Sequence, residues 1–186
     1  MNSAIVTVQN KKDEKFLKTK TADFDFKKFK KKEINDLLIT MKKTMRAAKG
    51  IGLSANQIGL NLKLFVAEVP NAQGEMKFYA VFNPRIEKSS REKLFLEEGC
   101  LSVPGTYGMV ERFERVVLGG FDKNGKPFKI KAWGLLAHVF QHEVDHLNGI
   151  IFTSRARELH EAPTTKTTGD PPEARLAKGG KKQAAN

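Results

Sequence analysis

The segment Gln141-His142-Glu143-Val144-Asp145-His146 holds the residue types and spacing best suited to chemistry. Two histidines at i and i+4 on a helix stack one turn apart, about 6 Å along the axis, so both imidazoles can converge on one cation at about 2.0–2.1 Å. Glu143 adjoins one of them. Its carboxylate can reach a water acidified by that cation, take its proton and return it. Two imidazoles need a third ligand. His138 lies one turn further back, but the rise from His138 to His146 is about 12 Å, too far for a shared ion. It reads as a packing residue or part of the site's wall, and His160, in a polar stretch near the tail, as a solvated one. Carboxylates and Cys100, the only cysteine, are left. A thiol suits Zn or Fe(II) and loses its proton on binding, whereas a lone cysteine taken by itself is more often a small buried hydrophobe.

Three segments taken together decide between those readings: Gly50-Ile51-Gly52-Leu53-Ser54-Ala55-Asn56-Gln57, Glu98-Gly99-Cys100-Leu101-Ser102, and Gln141-His142-Glu143-Val144-Asp145-His146-Leu147. In order and spacing they resemble the peptide deformylase family, over approximately residues 34–152. The resemblance implies removal of the formyl group from the N-terminal formyl-methionine of newly synthesised polypeptides, with release of formate. It implies that Cys100, His142 and His146 hold one divalent metal, Fe(II) in preference, with Zn, Ni or Co as substitutes. It implies Glu143 as general acid/base, and Gln57 with the backbone N–H of Leu101 as donors to the oxyanion. It also implies that Glu98 and Arg112 pair to brace the metal loop. Asp145, three residues after His142, is a further anchor with no partner assigned. Gly50 and Gly52 free the backbone to bend and let a substrate main chain approach. Ile51, Val139 and Phe140 are candidates for the walls of an apolar pocket for an unbranched side chain. Ser54 stands where the family commonly has alanine, a small change that leaves Gln57 in register, and the segment before about residue 20 matches poorly. The C-terminal extension lacks the amphipathic helix of some bacterial members, which puts ribosome docking by that route in doubt.

The elements that must position these residues are legible from periodicity. Ile34, Leu37, Leu38, Met41 and Met45 fall on one face of a helix from about Glu33 to Ala48, with Gly50 where a left-handed cap would end it. Leu64–Ala67 and Tyr79–Phe82 read as strands, and Val116–Leu118 and Phe128–Ile130 flank an Asp122-Lys123-Asn124-Gly125 hairpin turn. A second helix spans about Leu135 to Asn148, closed by Gly149. The expected fold is α+β: mixed or antiparallel sheets around a C-terminal helix carrying the metal motif, plus one N-terminal amphipathic helix. Residues 1–160 form the expected catalytic domain, and residues 161–186, rich in Thr, Pro, Gly, Ala and Lys, a flexible tail.

The 186 residues suffice for one domain and a tail, and a hydrophobic fraction of 40% agrees with a solvated portion. No apolar run approaches the roughly 18 residues of a membrane span, and the N-terminus has no signal or transit pattern. A lone thiol suits a reducing compartment, so a cytoplasmic protein is expected, and a monomer. The net charge of +12, with Lys27, Lys28, Lys30, Lys31 and Lys32 in one run, marks either a solvated lysine face or a weak attraction to ribosomal RNA. Two competing functions remain: a zinc peptidase, which would take its third ligand from downstream residues such as Glu158, His160 or Glu161, and a basic RNA-binding protein with a structural metal, which would need neither Glu143 nor Gln57.

Overall fold

The computed structural model of the chain describes residues 4–71 and 73–162. Helix α1 (Lys11–Leu17) is followed by α2 (Lys31–Ala47), then by strands β1 (Gly52–Ser54), β2 (Leu64–Pro70), β3 (Met76–Ser89), β4 (Lys93–Cys100), β5 (Val103–Phe113), β6 (Arg115–Phe121) and β7 (Pro127–Trp133). Helix α3 (Gly134–Leu147) and a short strand β8 (Leu159–Glu161) complete the order. One antiparallel sheet runs β1-β2-β3-β6-β7, and a second runs β4-β5-β8. The architecture is the expected α+β.

Strand β2 shows why the sheet sits between two helices. Its side chains alternate between faces with period two. Leu64 and Val66 meet Ile34, Leu38, Met41 and Met45 of α2, while Phe65, Ala67 and Val69 meet Ala137, Phe140, Val144 and Leu147 of α3. Complete burial of a Leu, Met or Phe side chain contributes about 1.5–3 kcal/mol, so these two layers hold α3 against the sheet from one side and α2 from the other. A third, smaller cluster gathers Leu17 of α1, Cys100, Val103, Val110, Ile151 and Phe152. It clamps the loop between β4 and β5 to the end of α3.

Several elements differ in detail from the sequence reading. Helix α1 was not foreseen. It is seven residues long, capped by Asn10, whose side chain accepts from the Asp13 N–H, and only Leu17 is buried. The cap of α2 is corrected: the left-handed residue is Lys49, at φ 57°, not Gly50. Lys49 N–H bonds to Arg46 O and Gly50 N–H to Met45 O, the two bonds of a Schellman ending. A Cβ at Gly50 would lie 2.7 Å from Leu101 Cδ1, so a larger residue there would displace the end of that side chain. The end of α3 is as expected, with Gly149 at φ 74°. So is the β6–β7 hairpin, where Asp122 Oδ1 accepts from the N–H groups of Asn124 and Lys126. Strand β8 carries sheet pairing to Glu161, opposite Thr106, one residue into the segment expected as a tail. Residues 163–186 of that segment lie outside the described residues. No helix among the described residues is long and apolar enough to cross a membrane.

Candidate metal centre

Helix α3 presents His142 and His146 one turn apart, with rings 4.8 Å between centroids and their Nε2 atoms 3.2 Å apart. Cys100 ends β4 where the β4–β5 register breaks, and its Sγ lies 3.0 Å from His146 Nε2. The three donor atoms all fall within 4.8 Å of one another. Two imidazole nitrogens sharing a tetrahedral cation at 2.0–2.1 Å would stand about 3.3 Å apart, which the 3.2 Å separation matches. Three electron-rich atoms converging in a buried place, with no protein cation between them, fit a divalent metal, and one thiolate with two imidazoles suits Zn or Fe(II).

The ligand rings are aimed from behind. His142 Nδ1 lies 2.8 Å from Glu98 Oε2, leaving Nε2 for the cation. Glu98 is itself gripped by Arg112, with Nε donating to Oε1 at 2.7 Å and Nη2 to Oε2 at 3.1 Å. Arg112 also donates to Asp145 Oδ2, and Arg155 Nε sits 2.6 Å from that same oxygen. Burial alone would raise the Glu98 pKa. The charge of His142, the close approach of His138 and hydrogen bonds from His142 and Arg112 overcome it and hold the carboxyl well below its ordinary range. His138 Nε2 approaches Glu98 Oε1 to 2.8 Å, yet the contact fails as a well-formed hydrogen bond. The short distance and the poor alignment together make it a close electrostatic contact.

Glu143 faces a different environment. It is 2% exposed, and burial pushes its pKa up from 4.5 to about 7, against the opposing pull of His142 and of a hydrogen bond from Ser54. That bond, Ser54 Oγ to Glu143 Oε2, is 2.6 Å long. Gly52 lies under the other oxygen, where a Cβ would come within 2.2 Å of Oε1. Gln57 is held through its own Oε1, which accepts from Ser54 N at 2.8 Å. Its amide nitrogen therefore faces the metal loop, 3.2 Å from Ser102 Oγ and 3.6 Å from Cys100 Sγ. Among the described residues no acceptor takes the Leu101 N–H. Asn56 Nδ2 donates to His146 O at 2.7 Å and ties the Gln57 turn to the end of α3.

Beside these groups opens a narrow cleft bordered by Ile51, Gly52, Glu97, Glu98, His138, Val139, His142 and Glu143. Ile51, Gly52 and Val139 thus line it as their positions suggested. Phe140 does not: it is fully buried on the sheet-facing side of α3, against Phe65 and Tyr79 at centroid distances of 5.7 and 5.4 Å. A residue one step from Val139 is turned about 100° around the helix, so the two cannot share a wall. Gly50 packs on Leu101 rather than bordering the cleft. His138 does border it, and His160 is half exposed in β8, 3.0 Å from Glu97. Sequence reasoning missed Ser54 and Asn56 as partners of the centre, and Arg155 as a partner of Asp145. Their links span 89, 90 and 10 residues, and no periodicity carries such pairings.

The fold and this centre define an α+β protein with a candidate metal site beside a buried carboxylate. The polypeptide deformylase family matches residues 3–162. A peptide deformylase of Chloroflexus aurantiacus is 41% identical over 167 residues, covering 83% of this chain and 87% of its own length. One from Chromobacterium violaceum is 44% identical over 121 residues, covering 65% of this chain and 71% of its own. Among solved structures, a Met-Ala-Ser-bound class I type b peptide deformylase from Acinetobacter baumannii aligns with TM-score 0.75 at 31% identity, over 83% of this chain and 98% of that one. The chain belongs to the peptide deformylase family, metal-dependent hydrolases that remove the N-formyl group from nascent peptides.

Proposed function

We propose that this chain hydrolyses the formyl amide of formyl-methionyl peptides with Glu143 as proton carrier and Cys100, His142 and His146 as metal ligands. The observation that carries the reading is the convergence of those three donor atoms within 4.8 Å next to a buried carboxylate poised near neutrality. The bound ion, Fe(II) in preference to Zn, Ni or Co, would acidify a water and polarise the formyl oxygen. Glu143 takes a proton from the attacking water and passes it to the departing nitrogen, a role that needs a pKa near the working pH. The Gln57 amide and the Leu101 N–H donate to the negative charge that grows on the formyl oxygen, and one such donor contributes about 2.7–4 kcal/mol in a protease precedent. Glu98 and Arg112 keep the His142 ring aimed. Ile51 and Val139 give the first side chain an apolar wall.

The finer assignments follow the same reading. Residues 1–160 form the catalytic domain of a cytoplasmic monomer, and residues 161–186 its tail. Lys27, Lys28, Lys30, Lys31 and Lys32 are exposed, a local concentration of positive charge. They would attract ribosomal RNA weakly, with affinity falling steeply as salt rises. The test of the activity is formate release from formyl-Met-Ala-Ser by protein purified anaerobically with Fe(II), beside Glu143→Ala. Turnover by the parent and its near-complete loss in the variant, at equal metal content, is the expected result. No release by a metal-loaded parent would refute the reading.

A further inference from the structure

Glu143 has two carboxylate oxygens in unlike surroundings. Oε2 accepts the Ser54 hydroxyl at 2.6 Å. Oε1 lies over Gly52, which borders the cleft. Ser54 is fully buried on β1, so no solvent competes for its hydroxyl. The hydroxyl also comes within 3.1 Å of Glu143 O, but it has one proton, and the shorter contact to the carboxyl takes it. We propose that Ser54 is a positioning residue: its hydroxyl holds Oε2 so that Oε1 is the oxygen presented to the cleft. This rests on Glu143 being the proton carrier, and it adds what fixes that carrier's aim.

A glutamate can swing about three side-chain torsions, and its last one is broad. Burial limits the swing without choosing which oxygen points outward. A strand residue bonded to one oxygen makes that choice. Strand β1 is paired with β2 through Gly52↔Ala67, Leu53↔Val66 and Ser54↔Phe65, so the hydroxyl sits on the edge of the rigid sheet, not on a loop. The Ser54 backbone N–H meanwhile fixes Gln57 through its Oε1. Replacing serine by alanine removes the hydroxyl and leaves that N–H in place, which separates the two duties.

The experiment measures kcat and KM for formyl-Met-Ala-Ser with the metal-loaded parent, Ser54→Ala, Glu143→Asp and the double variant. Metal content and the affinity for the product Met-Ala-Ser are measured alongside. Misaiming a reacting group by an ångström lowers rates by about 100-fold. Ser54→Ala should therefore lose about 10- to 100-fold in kcat, with KM and product affinity within about twofold. Aspartate is one methylene too short to keep the serine contact, so adding Ser54→Ala to Glu143→Asp should slow it little further. Losses that multiply in the double variant would mark Ser54 as merely structural and overturn the proposal. So would an unchanged kcat in Ser54→Ala, while the parent's activity kept the function reading standing. A parent inactive on the peptide would overturn both.

Discussion

Glu143→Gln should stabilise the metal-free protein by an amount set by pH. The carboxyl is 2% exposed, and burial, the largest influence, raises its pKa from 4.5 to about 7. Between those two values the folded state keeps a proton that the unfolded chain has released, so stability declines as pH rises through the window and levels off above it. Each pH unit of difference corresponds to about 1.36 kcal/mol, and the whole window to about 3 kcal/mol. Glutamine has the same shape, stays neutral, and can still accept the Ser54 hydroxyl. In chelator-treated protein the variant and parent should be nearly equal at pH 4.5, and the variant more stable by about 3 kcal/mol at pH 8. Urea unfolding reads this directly: at a slope of about 2 kcal/mol per molar, the midpoint gap should open by about 1.5 M. Glu98 and the other ionisable groups are present in both proteins and cancel in the difference. A gap independent of pH would refute the argument, because it would mean that burial is not what holds the Glu143 proton.

Three further outcomes follow from the same geometry. Gln57→Ala removes the amide aimed at the metal loop, and kcat for formate release should drop about 10²- to 10³-fold; a loss confined to KM would show a binding role instead. Arg112→Leu leaves Glu98, 3% exposed, buried without its guanidinium, and thermal or urea unfolding should show a loss of about 3–5 kcal/mol, with a loss under about 1 kcal/mol contradicting the brace. Gly52→Ala places a Cβ 2.2 Å from Glu143 Oε1, so a folded, metal-replete variant should be nearly inactive, and full activity would show that the carboxylate has room to move.

What was legible in the sequence was local or carried by motif. His142, Glu143 and His146 declare themselves by helical spacing, and α2 and the β6–β7 hairpin by period and turn chemistry. Cys100 was ambiguous on residue type alone and was settled by its surrounding segment. The misses have physical causes. Helix α1 buries only Leu17, so it leaves no amphipathic trace. Strand β8 is exposed along its length and exists through pairing with β5, information held elsewhere in the chain. Lys49 takes the left-handed conformation that residue type assigns to the neighbouring glycine, and the bonds from the Lys49 and Gly50 N–H groups back into the last turn of α2 fix it there. Ser54 looked like a neutral exchange for alanine, and its significance lies in a contact with a residue 89 positions away.

The centre contains two buried glutamates near the same histidine, and their opposite behaviour suits them to different tasks. Both feel desolvation that favours the neutral acid. Glu98 is met by Arg112, His138 and His142, and stays anionic. Glu143 is opposed by the charge of His142 and a hydroxyl from Ser54 but has no guanidinium, so burial prevails and raises its pKa to about 7. A permanent anion can orient His142 but cannot shuttle protons; a carboxyl near pH 7 can do the second and would hold the ring poorly. Exchanging the two surroundings would exchange the two duties. The contrast therefore resides less in the glutamates than in the guanidinium that Arg112 of β5 brings to one of them and not to the other.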